Sequence, residues 1–152
     1  MITQWEIIIN FITKANTMNP VLKKKLSILI HLAVADGEFA RIEKNFIEEI
    51  CTRNNISRAE REQLFRNPEP IGTLGALSYP KAIEYMSDCL SLMVVDGKIR
   101  QSEVLLCEDI GLRLSFTKAS IDQVIEQLKG NSEVSADKIK AMVQALPHPE
   151  KI

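Results

Sequence analysis

The chain repeats itself at a distance of 60 residues, and this constrains its fold more than any other feature. Sliding the sequence by 60 lays Leu32–Arg66 over Leu92–Glu126 without a gap, and ten of the 35 columns are identical. They include Leu32/Leu92, Asp36/Asp96, Gly37/Gly97, Glu43/Glu103, Glu48/Glu108 and Ile50/Ile110. Unrelated segments of this length share about two or three, so similarity at a fixed offset marks a supersecondary unit used twice.

The unit is helical. Apolar residues recur at i, i+3, i+4 and i+7 almost throughout, with no alternating run and no hairpin turn. Trp5, Ile8, Ile9 and Ile12 predict a first helix ending near Ala15. A second starts after Pro20 and runs through Leu26, Leu29, Ile30 and Ala33 to Asp36-Gly37. A third covers about 42–53 with Phe46, Ile47 and Ile50 inward, and the capping-box pattern SRAE from Ser57 opens a fourth to about Phe65. NPEPIGTLGALSYP, rich in Pro and Gly, breaks the periodicity at 67–80 and reads as a connector. Helices follow near 81–95, 101–114, 118–129 and 136–146, with Gly130 suited to a helix end and the tail PHPEKI loosely held. The expectation is all-α: one domain over 1–152, a compact bundle of about seven to eight helices. It is built from two pseudo-two-fold-related repeats, about 20–66 and 81–129, with a C-terminal helix at 136–146. Two units are too few for a solenoid.

Bulk properties narrow the function. At 152 residues with 45% hydrophobic content the chain can bury a core. A formal charge of −1 gives no footprint for nucleic acid. No apolar run reaches the ~18 residues of a membrane span, and MITQWEIIINF lacks the basic start and cleavage site of a signal peptide. Three cysteines without C-x-x-C spacing read as reduced core thiols, and the expected location is cytoplasmic.

The repeated turn carries the functional information. Each copy reads D-G-x5-E: Asp36, Gly37 and Glu43, then Asp96, Gly97 and Glu103. As a plain turn, the glycine ends one helix in the left-handed conformation, Phe39 or Ile99 drops between the helices, and the glutamate sits in the first turn of the next. The aspartates fit this less well, because an anion at a helix C-terminus is disfavoured by about 0.3–1 kcal/mol. Local backbone N–H donors would offset that cost; so would a bound cation. Four carboxylates without His or Cys form a hard-oxygen set, suited to Ca, Mg or Mn rather than Zn. The EF-hand loop pattern is absent.

These two segments, LAVADGEFARIEKNFIEEI and LMVVDGKIRQSEVLLCEDIGLRLSF, resemble the paired signatures of the TerB-like family, named for a tellurite-resistance protein. The resemblance spans about 20–130. It implies an all-α domain with internal pseudo-symmetry and an acidic cluster that binds a divalent metal, here Asp36, Glu43, Asp96 and Glu103. It further implies roles in tellurite or metal stress beside membrane-associated partners, and kinship with domains of DnaJ-like co-chaperones. One departure stands out: family members often carry Ser or Asp before the second helix, where this chain has Ala40 and Arg100. Normal N-capping is thereby lost, and Arg100 and Lys98 partly neutralise the second acid pair.

Glu48 and Glu108 lie five residues past Glu43 and Glu103, about 140° round the helix, so they face elsewhere and read as surface charges available to a partner. His31, in an apolar run, reads as a hydrogen-bonded core histidine. No nucleophile elbow, phosphate loop or Cys/His pairing supports an enzyme, and no organic cofactor is expected. Two readings remain open: a non-enzymatic metal-binding domain in a stress-response assembly, or a metal-free module whose acidic face docks a protein partner.

Overall fold

A computed structural model describes residues 2–8, 18–131 and 133–151. Among these, seven helices of nine residues or more follow one another, and there is no strand. They are α1 (Pro20–Ala33), α2 (Arg41–Arg53), α3 (Arg58–Arg66), α4 (Tyr79–Val94), α5 (Gln101–Arg113), α6 (Lys118–Lys129) and α7 (Ala136–Gln144). No helix among the described residues is long and apolar enough to cross a membrane.

Local chemistry sets the boundaries. Asn19 caps α1 through its side chain with Pro20 at the first position. Ser57 and Glu60 form the reciprocal capping box of α3. Ser78, Thr117 and Ser135 cap α4, α6 and α7. α4 begins at Tyr79, two residues before the periodicity predicts, because Ser78 can cap it and Pro80 is tolerated in a first turn. Residues 4–8 are helical, and Thr3 and Glu6 exchange capping hydrogen bonds at their start. Trp5 is 73% exposed there. The predicted continuation through Ile9 and Ile12 to Ala15 falls outside the described residues.

The core centres on α1 and α4, which pack on each other. Leu26, Ile28, Leu29 and Leu32 of α1 meet the layer carrying Tyr85, Met86, Leu90 and Met93 of α4, all fully buried. Lys25 of α1, itself nearly buried, bridges Asp88 and Glu84 of α4 at 2.9 and 3.3 Å. The Tyr85 hydroxyl donates to the Val21 carbonyl. Around this pair, α2 and α3 pack on α1, α5 and α7 pack on α4, and α6 packs on α5.

Residues 67–78 are more than a tether. Leu74 is buried, Ser27 accepts from the Glu69 N–H at 3.0 Å, and His31 Nε2 donates to the Glu69 carbonyl at 2.7 Å. The tail is fastened as well. His148 sits against the rings of Tyr79 and Phe116, with centroids 4.9 and 4.8 Å away, and its Nε2 lies 2.8 Å from the Leu114 carbonyl. The tail, expected to be loosely held as a terminus, is seated at His148 by these ring contacts.

Backbone geometry recurs at the 60-residue offset. Gly37 and Gly97 have φ of +87° and +79°, and Asn55 and Ser115 are left-handed at +56° and +73°. Ile56 N–H bonds the Cys51 carbonyl as Phe116 N–H bonds that of Gly111. The packing differs between halves, however. α3 lies on α1, whereas α6 lies on α5, where Gly111 admits Ile121.

Candidate functional site

The two turns are built alike. The N–H of Gly37 donates to the Val34 carbonyl at 2.9 Å and that of Gly97 to the Val94 carbonyl at 3.0 Å. Each aspartate then accepts from the backbone two residues on: Asp36 Oδ1 from Glu38 N–H and Asp96 Oδ1 from Lys98 N–H, both at 3.0 Å. This local bonding offsets the unfavourable helix-end position. Ala40 and Arg100 stand at the N-caps of α2 and α5 without capping through their side chains. Phe39 and Ile99 turn back against the core.

The structure gathers Asp36, Asp96 and Glu103 around one guanidinium, with Glu43 near enough to feel the charges of all four groups. Arg100 Nε lies 3.1 Å from Asp36 Oδ2, and its Nη1 lies 2.8 Å from Asp96 Oδ2 and 3.4 Å from Glu103 Oε1. One arginine thus grips acids from both turns. A planar five-donor fork suits this better than a lysine would. Glu43 and Glu103 are each only 2% exposed. Glu43 Oε2 is buried with no hydrogen-bond partner among the described residues.

The electrostatics follow from these positions. Burial, then the charges of Glu103, Asp96 and Asp36, push the Glu43 carboxyl up to about 7 against the opposing pull of Arg100. Burial also raises Glu103, with Arg100 partly offsetting it. Asp96 has a burial penalty too, but hydrogen bonds from Arg100 and the Lys98 N–H outweigh it and hold its carboxyl below the usual range. Arg100 is raised in turn, chiefly by its bond to Asp96.

Compared with known proteins, the chain matches no family model, no curated protein and no solved structure. Function therefore rests on the site itself.

Four carboxylate groups are the right donors for a hard cation. As arranged, the Arg100 guanidinium stands among three of them. No group of three or more Asp, Glu, His or Cys among the described residues is disposed to hold a metal ion.

The second pair of predicted residues divides. Glu48 is half-buried in a cleft beside Lys44, Arg58 and Arg61. Glu108 is only 7% exposed, and Lys118 of α6 closes on it at 3.1 Å. It is not the open surface charge expected of it: α6 packs over that face of α5, and tertiary packing is invisible to helical rotation. The three cysteines are free and buried, with burial raising Cys89 and Cys107.

Sequence reasoning saw Arg100 as a partial neutraliser of its own acid pair. It missed the reach to Asp36. The one available signal was the mismatch at the offset, Ala40 against Arg100, which breaks an otherwise acidic repeat.

Proposed function

We propose that this chain is a non-enzymatic, TerB-like helical interaction module of the cytoplasm, in which Arg100 supplies the positive charge that a divalent cation would otherwise bring. The observation carrying this reading is the single guanidinium shared by Asp36, Asp96 and Glu103. Its bonds give the aspartates their countercharge within the chain. The two halves are then a duplicated unit about a pseudo-two-fold axis, an arrangement supported by the recurrence of φ values and turn hydrogen bonds at the 60-residue offset. Membership of a tellurite- or metal-stress assembly, with a protein partner that is itself membrane-associated, rests on the resemblance of the two D-G-x5-E segments.

The test is thermal unfolding of metal-stripped protein with Ca²⁺, Mg²⁺, Mn²⁺ and Zn²⁺ in turn, beside Arg100→Ala, which copies the residue at the matched position. Wild type should respond to each divalent salt only through screening. Arg100→Ala should lose stability and gain a cation-specific rise of about 5 °C at saturating Ca²⁺, Mg²⁺ or Mn²⁺. A comparable rise in wild type, abolished by Asp36→Asn/Asp96→Asn, would return the four acids to a metal-binding role.

A further inference from the structure

The two halves differ most where their second and third helices meet. In the second half α6 closes on α5: a Cβ on Gly111 would come within 2.6 Å of Ile121 Cγ1, so only glycine lets the helices approach this far. Lys118 lies 3.1 Å from both Glu108 and Asp122 and neutralises that seam internally. At the matched positions of the first half, Cys51 replaces Gly111 and Arg61 replaces Ile121. α2 and α3 leave between them a cleft of about 670 Å³.

The charge of this cleft is reversed as well. Lys44, Arg58, Arg61 and Arg66 line it against only two carboxylates, Glu48 and Glu62. Their counterparts, Val104, Lys118, Ile121 and Glu126 with Glu108 and Asp122, offer one cation against three acids. Arg58 already engages Glu62 at 3.1 Å. Arg61 spends Nη2 on the Ile56 carbonyl at 3.1 Å, and its Nε is buried with no partner among the described residues. Phe65 supplies an aromatic wall, with Lys44 Nζ 5.4 Å from its ring centre.

We infer that the cleft between α2 and α3 is a docking site for an acidic peptide segment of a partner protein, its carboxylates taken by Arg61, Arg58, Arg66 and Lys44 and an apolar side chain set against Phe65. Guanidinium forks pair carboxylates bidentately, and the aromatic wall gives an apolar anchor beside them. The two acids within the cleft and the formal charge of −1 on the chain disfavour a nucleic-acid backbone. This inference rests on the interaction-module reading and gives it a partner chemistry. It also reverses the expected sign at Glu48, whose surroundings attract acids.

The experiment is fluorescence anisotropy with a labelled octapeptide of seven glutamates and a central phenylalanine, titrated with the full chain at low and at physiological salt. Saturable binding should appear, weaken with salt, and fall about tenfold in Arg61→Gln, with a smaller loss in Arg61→Lys. Lys118→Gln, on the closed seam, should leave it within about twofold. Each variant is first melted, so that loss of binding is read only from folded protein. Absence of binding at low salt, or equal binding by Arg61→Gln, overturns the cleft as a site. Tighter binding of a phosphoserine peptide or of a short RNA overturns the assignment to carboxylates. Failure here together with a cation-indifferent wild type removes the cleft alone; a cation-stabilised wild type removes the interaction-module reading itself.

Discussion

Glu43 is the residue whose environment costs the fold most plainly. It is 2% exposed, one of its oxygens lacks a partner among the described residues, and burial with the neighbouring acids pushes its carboxyl from about 4.5 up to about 7. An acid whose folded value is raised binds more protons folded than unfolded, so stability falls as pH rises between those two values. The loss is complete above about 7 and amounts to about 3 kcal/mol as an upper figure. Glu103, raised by burial, adds in the same direction. Glu43→Gln should therefore raise the melting temperature at pH 8 and change it little at pH 4.5. Urea titrations at the two values would measure the difference; a stabilisation equal at both would show that charge on Glu43 is not the cause.

At the scale of elements, the contact between α5 and α6 depends on an absent side chain. Gly111 has ordinary helical geometry, so its role is space rather than backbone freedom. Gly111→Ala must displace the buried Ile121, at a cost of about 1–3 kcal/mol despite the better helix propensity of alanine. A paired Gly111→Ala/Ile121→Ala variant, which removes the clashing Cγ1, should lose less in chemical denaturation than the two single losses summed. What was legible in the sequence divides along the same line. Turns and caps are local, so Asp-Gly at 36 and 96 and the Ser57–Glu60 box were readable from a few residues. The all-helical class followed from periodicity. The seating of α6 on α5, the cover over Glu108 and the reach of Arg100 to Asp36 depend on elements far apart in sequence. No spacing rule encodes them.

Over the whole molecule, the ends of the described chain show which contacts hold the layers together. His148, beyond the last helix, touches Tyr79 at the start of α4 and Phe116 just before α6, and bonds the Leu114 carbonyl at the end of α5. One imidazole thereby fastens the tail to three places in the second half. His148→Ala should cost about 1–2 kcal/mol, from lost ring contacts and an unpaired carbonyl. That would lower the melting temperature by roughly 3–6 °C for a domain of this size. His148→Phe should keep the ring contacts and recover about half the loss. An unchanged melt in His148→Ala would mean that the tail does not add to global stability.

Arg100 also limits how the two halves can be exchanged. It belongs to the second turn, yet one of its ion pairs is with Asp36 of the first, and position 40 offers only the methyl group of alanine. A chain assembled from two first halves would bring the four acids together without any guanidinium. A chain of two second halves would bring two guanidiniums to a place shaped for one. The present sequence is thus a mated pair, its two similar segments indivisible because one of them alone carries the arginine.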